Sequence, residues 1–164
     1  MRRELHFSTG NDEWETPWKL FNHLDNEFHF TLDPCATSEN AKVKKYFTKE
    51  QNGLYRSWGG EKVFMNPPYS RLAKWMAKAF SAARDDGATV VCLVPSRTDT
   101  RWWHSYAMKG EMWFIQGRLQ FNHHKNSAPF PSSIVIFRPK YQTFTIDSGE
   151  LRPRIQGQLF ELGE

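Results

Sequence analysis

The sequence predicts an α/β domain on a mostly parallel sheet, with helices on both faces and an antiparallel C-terminal strand. Three observations predict it. Helical and strand patterns alternate along the chain. Residues 88–94 form a continuous apolar run between Gly87 and Pro95, as a strand buried on both faces does. Two apolar segments stop abruptly at polar-proline turns, Asp33-Pro34 and Asn66-Pro67. Ligands of such sheets collect beyond the carboxyl ends of the strands, so both turns are expected on one binding rim.

Taken in order, Thr16-Pro17 is a helix start signal, and residues 15–28 are expected to be helical. Trp18, Phe21, Leu24 and Phe28 fall at spacings of three and four and make one buried stripe. Residues 28–32 then alternate into a strand ending at Asp33-Pro34-Cys35-Ala36. Residues 37–62 are polar and irregular; 46–48 read as a short strand, and Leu54 with Trp58 as a helical turn. Residues 61–65 form the strand into the Asn66-Pro67 turn. Ser70 is a suitable N-cap for a helix over 71–86, with Leu72, Trp75, Met76, Ala79, Phe80 and Ala83 inward and Gly87 as its stop. After the 88–94 strand, Asp99 or Thr100 opens a short helix carrying Trp102, Trp103 and Tyr106. Residues 112–115, resuming through 119–121, and residues 133–137 are the remaining strands. The tail after Arg138 is weakly patterned.

With 164 residues and 19.3 kDa, a single domain over 1–164 is expected, without a separate large target-recognition domain. No run of about 18 apolar residues occurs, so no membrane helix is expected. The basic N-terminus has no apolar core behind it and is not a signal peptide. Two cysteines without metal-ligand spacing fit a reducing cytosol. The adjacent His123 and His124 point in different directions on most backbones, so no metal is expected there. Charge is uneven: residues 71–154 hold 13 Lys+Arg against 6 Asp+Glu, a balance that suits a polyanion-binding face.

The segment Asn66-Pro67-Pro68-Tyr69 carries the most chemistry. Two prolines fix φ and remove two N–H donors, so the strand cannot continue and the turn is stiff. It offers the Asn66 amide oxygen and the Pro67 carbonyl as two acceptors, and the Tyr69 ring as a stacking surface. That set suits a flat heterocycle with an exocyclic amine.

The chain resembles the phage-type (Dam-like) DNA N6-adenine methyltransferases over roughly residues 12 to 137. The resemblance rests on Trp14-Glu15-Thr16-Pro17, Leu32-Asp33-Pro34-Cys35-Ala36, Tyr46-Phe47-Thr48, Gly53-Leu54 and Asn66-Pro67-Pro68-Tyr69-Ser70. It continues through residues 93–100, Trp103-His104, Gly117-Arg118-Leu119 and residues 128–132. It implies a Rossmann-like methyltransferase sheet and S-adenosyl-L-methionine as methyl donor. The acceptor would be the exocyclic amine of adenine in DNA, with the base flipped into the pocket. Asn66, Pro67, Pro68 and Tyr69 would be catalytic. Thr16, Pro17, Asp33, Pro34, Cys35 and Ala36 would bind the cofactor, with Glu50 the acidic candidate for the ribose hydroxyls. DNA would be the partner, with neither a membrane nor a protein partner implied, and a phage-encoded enzyme would work in the bacterial host cytoplasm. Arg97, Arg101 and Lys125 are the candidates for DNA contact, with Trp102 and Trp103 as stackers or wedges, though core packing is an equal reading for these two rings. The loop from Asn122 to Phe130 is the candidate for sequence specificity. A departure is the lack of a Gly-x-Gly turn after the first strand, where Pro34-Cys35-Ala36-Thr37 stands instead. DNA cytosine N4 methyltransferases share the polar-Pro-Pro-aromatic turn, as do protein glutamine methyltransferases, which add a Gly-rich cofactor turn and a helical domain missing here. A catalytically inactive DNA-binding module of the same fold is the third alternative.

Overall fold

The computed structural model describes residues 14–139 and 158–160. Helix α1 (Trp18–Phe28) is followed by β1 (Lys62–Met65), α2 (Leu72–Asp86), β2 (Thr89–Pro95), the short α3 (Arg101–Ser105), β3 (Glu111–Ile115), β4 (Ser132–Phe137) and β5 (Gln158–Phe160). The sheet order is β1-β2-β4-β3-β5. β1 pairs with β2 and β3 with β5 in parallel, whereas β4 runs antiparallel between β2 and β3. The antiparallel strand at 132–137 therefore exists but is internal, and β5 follows it from the weakly patterned tail. Beyond β1 the sheet is extended by single parallel bridges, Leu32 to Val63 and Asp33 to Tyr46.

Strand register shows that helices cover both faces. Phe64, Val91 and Ile136 stand side by side across β1, β2 and β4, and Phe21 of α1 meets Phe64 edge-on at 5.2 Å. Val63, Val90 and Phe137 point the other way, and Phe80 of α2 packs on Phe137 at 5.7 Å. Alternation of side chains along each strand puts α1 and α2 on opposite faces. β2 and β4 are buried along almost their whole length, as strands covered on both sides should be.

Several local expectations change. α1 begins at Trp18, because the Thr16 hydroxyl is taken by Asn66 and caps nothing. Trp18 is 50 % exposed under the Lys42 ammonium, and Leu20 takes the buried position instead. Residues 28–31 form no regular ladder: the N–H groups of Thr31 and Leu32 both turn to the Lys62 carbonyl. Ser70 lies inside a short 3-10 turn (Tyr69–Arg71), so α2 starts at Leu72 with Arg71 at the cap position. Gly87 ends α2 in the left-handed conformation at φ 74°, as its position predicts. Residues 119–121 are not a strand; Leu119 and Phe121 are core side chains of the long β3–β4 connection. Among the described residues no helix is long and apolar enough to cross a membrane.

Candidate active site

Because Leu32 pairs with Val63 in parallel, the chain leaves both strands on the same edge, and Asp33 and Asn66 come together there. A cavity of about 650 Å³ opens at this edge, a size in the range of cofactor sites. Thr16, Asp33, Pro34, Cys35, Ala36 and Glu50 all line it, as do Asn66 and Pro68. Pro17, Pro67 and Tyr69 do not.

Asn66 is held by its nitrogen. Its Nδ2 donates to the Trp14 carbonyl and, at 2.9 Å, to Thr16 Oγ1. A carbonyl oxygen only accepts, so the amide nitrogen must face Trp14 and the flip of the side chain is fixed. Oδ1 is left on the other side, buried and without a hydrogen-bond partner. An unpartnered buried acceptor costs about 1–3 kcal/mol, so this oxygen is open to an incoming donor.

The strut that orients Asn66 is itself tied down. Glu15 accepts from Lys42 Nζ at 3.1 Å and Asn122 Nδ2 at 3.0 Å, and pairs with His123 Nε2 at 2.8 Å. Burial works to raise the Glu15 pKa, but Asn122, Lys42 and His123 together hold it below the ordinary carboxylate range. Trp14 stacks on His124 at 4.3 Å and meets Phe121 and Phe130 edge-on. The neighbouring histidines therefore serve two different partners. The β3–β4 connection, the candidate for specificity, is thus anchored to the segment that positions Asn66, while its tip at 125–127 stays exposed.

Asp33 is 5 % exposed, and its two carboxylate oxygens accept the N–H groups of Cys35 and Lys42. It therefore pins the 34–42 loop that walls the cavity. Burial pushes its pKa from 3.8 up to about 6, against the Lys42 and Cys35 N–H groups and the Lys42 charge. Since the folded pKa lies above the ordinary one, the folded protein holds this proton more tightly, and stability falls as pH rises from about 4 to 6. The ligand-free protein is expected to lose up to about 3 kcal/mol from this group across that window. Urea unfolding of the wild type and Asp33→Asn at pH 4 to 7 checks this: the difference between them should widen through the window, and parallel curves would contradict it.

Gly53 answers the missing glycine of the first turn. A Cβ on Gly53 would lie 2.0 Å from the Pro34 carbonyl oxygen, so the two backbones touch where a Gly-x-Gly turn would have made room. Trp58 Nε1 locks the arrangement by donating to the Gly53 carbonyl at 3.0 Å. Gly53→Ala is expected to cost about 1–3 kcal/mol in urea unfolding, as overpacking does; an unchanged midpoint would show that the loop gives way freely.

Tyr69 lies behind the cavity wall, with Trp14 near-parallel to it at 6.5 Å and Phe130 edge-on at 5.5 Å. Its ring is 7 % exposed, its hydroxyl has no partner, and burial pushes its pKa up against the nearby Arg97 charge. Trp102 and Trp103 are core residues, 8 % and 4 % exposed, packed edge-to-face on one another. Both rings are therefore packed in the core in this structure, the second of the two readings open for them. Arg101 and Lys125 are exposed and Arg97 is half-buried. Glu50 is exposed at the cavity rim, where its own N–H and the Thr48 hydroxyl lower its pKa.

Sequence reasoning gave no role to Trp14, Glu15, Lys42, Gly53 or Trp75, all of which shape the site. Trp14 and Glu15 stood beside Thr16 in a quoted block, and an aromatic-acidic pair before Thr-Pro was a usable signal. Lys42 carried none, since it reads as a solvated lysine in a polar stretch.

The carboxylates of Asp33, Glu39 and Glu50 and the hydroxyls of Thr16, Thr37 and Ser38 share this cavity with the aromatic rings of Phe64 and Trp75. With Lys42, Lys49 and Arg71 also in the lining, this set can hydrogen-bond a polar ligand and pack a flat ring, and the buried, unpartnered Asn66 Oδ1 is an acceptor open to an amine.

Comparison with known proteins identifies the family. A family described as DNA N-6-adenine-methyltransferase (Dam) matches residues 6–154. The DNA N-6-adenine-methyltransferase of Haemophilus phage HP1 (strain HP1c1) is 32 % identical over 138 residues, covering 79 % of this chain and 80 % of that protein. The protein of the same description from Escherichia phage T1 is 29 % identical over 130 residues, 65 % of this chain and 55 % of that protein. The putative methyltransferase YfdM of Escherichia coli (strain K12) is 35 % identical over 65 residues, 35 % of this chain and 71 % of that protein.

Proposed function

The chain belongs to the DNA N-6-adenine-methyltransferase (Dam) family and is an adenine-specific DNA methyltransferase, and from that premise we propose how its residues carry out the transfer. The methyl donor is S-adenosyl-L-methionine, held in the cavity between the 34–42 loop, residues 48–53 and the start of α2 on a Rossmann-like sheet. When bound, the donor supplies an electrophilic methyl group beside a positive sulfonium. The protein supplies position and electrostatics.

One observation carries the reading: the buried, unpartnered Asn66 Oδ1, with its nitrogen fixed by Trp14 and Thr16. Adenine's amine is a weak nucleophile because its lone pair is delocalised into the ring. Hydrogen bonds from its two N–H groups to Asn66 Oδ1 and the Pro67 carbonyl favour a tetrahedral nitrogen. They also face the positive charge that develops there with acceptors already in place. Asn66 is an amide and takes no proton near neutrality, so the proton leaves to water after transfer. In duplex DNA the base reaches this oxygen by flipping out, and Tyr69 stacks on it once Trp14 and Phe130 yield its face. Arg97, Arg101 and Lys125 hold the phosphates, and the exposed 125–127 tip meets a groove.

Calorimetry with S-adenosyl-L-homocysteine, the demethylated cofactor, tests the cofactor half. Saturable one-to-one binding is expected, competed by S-adenosyl-L-methionine; no heat at any concentration up to millimolar would remove the cofactor from this cavity.

A further inference from the structure

Trp75 is placed by sequence pattern on the inward stripe of α2 and is 5 % exposed, so as a core residue it would need no further account. Its chemistry does need one. Its indole Nε1 is buried and has no hydrogen-bond acceptor, while the residue lines the same cavity as Asp33, Gly53 and Asn66. Two other buried tryptophans give the comparison. Trp58, whose ring is near-parallel to that of Trp75 at 6.2 Å, gives its Nε1–H to the Gly53 carbonyl at 3.0 Å. Trp113, on β3, gives its own to Glu111 at 2.9 Å. Trp75 alone of these three is left open, at a cost typical of an unmade buried hydrogen bond.

An indole N–H only donates, so its missing partner must be an acceptor atom. The cavity that Trp75 lines also counts Pro34, Gly53, Pro68 and Phe64 in its lining, apolar groups among its polar ones against which a heterocycle can pack. We propose that Trp75 is a cofactor-binding residue whose indole N–H donates to an acceptor of the adenosyl group of the methyl donor. This rests on the assignment of the cavity to S-adenosyl-L-methionine. Its consequence is selectivity, because a ligand without an acceptor at that position leaves the donor unpaired.

The test uses the full chain, uniformly labelled with nitrogen-15, and reads indole N–H resonances; Trp75→Phe identifies the Trp75 signal by its disappearance. Saturation with S-adenosyl-L-homocysteine is expected to move the Trp75 indole proton downfield while that of Trp113 stays in place. Adenosine at millimolar concentration should move it in the same direction, and methionine should not. By calorimetry, Trp75→Phe should weaken S-adenosyl-L-homocysteine binding about tenfold. Binding by the wild type with an unmoved Trp75 signal overturns this inference and leaves the cofactor assignment standing. A shift produced by methionine alone places the wrong end of the cofactor there and also overturns it. Absence of binding by the wild type overturns the cofactor assignment and this inference with it.

Discussion

Asn66→Ala is expected to lower methyl transfer about a thousandfold in kcat while leaving cofactor affinity within a few-fold of wild type. The asymmetry follows from where the amide acts. Its oxygen has no partner before substrate arrives, and the charge it meets grows as the methyl group approaches the amine. An interaction stronger in the transition state than in the ground state appears in kcat, not in binding. The fold should tolerate the change, because the variant removes both the Nδ2 donor and the unsatisfied Oδ1. What it leaves behind is the Trp14 carbonyl and the Thr16 hydroxyl, which a water can serve. Single-turnover kinetics on DNA, with calorimetry for the cofactor, measure the two quantities separately. Near-normal turnover in Asn66→Ala would end the role given to this oxygen.

Asp33→Ala should produce the larger loss of cofactor binding, on the order of a hundredfold, together with about 3 kcal/mol of stability. The carboxylate accepts two N–H groups from the loop it begins, so removing it strands both donors and frees the 34–42 wall. Asp33→Asn separates the contributions. It retains an acceptor for one N–H and most of the packing without the buried charge, so at neutral pH its stability should match or exceed that of the wild type. A folded Asp33→Ala variant with unchanged affinity for S-adenosyl-L-homocysteine would remove Asp33 from the site.

The rim was legible in the sequence because it is written in local backbone chemistry. Pro34 and Pro67 stop extended backbone wherever it lies, so Asp33 and Asn66 could be placed on one edge before any pairing was known, although only the second segment is a regular strand. The buried run at 88–94 and the stop at Gly87 were equally local and appear as β2 and the end of α2. What could not be read depended on distant partners. Trp102 and Trp103 occupy a short helix whose pattern does not say which face is covered, and the core took both rings. Thr16 reads as a helix cap from its neighbours alone, yet its hydroxyl serves Asn66, 50 residues away. The close approach of Gly53 to Pro34 is likewise a tertiary contact, invisible in a loop whose only signal was a glycine. β5 was missed because three residues pairing at a sheet edge leave little pattern.

The most direct test is the identity of the modified base. Purified protein, unmethylated genomic DNA and S-adenosyl-L-methionine carrying a labelled methyl group are incubated, and the DNA is digested to nucleosides for mass spectrometry. The account predicts that the label appears in N6-methyldeoxyadenosine and that Asn66→Ala leaves it in the cofactor. Label in N4-methyldeoxycytidine, or in no nucleoside while the wild-type protein binds both cofactor and DNA, would contradict it.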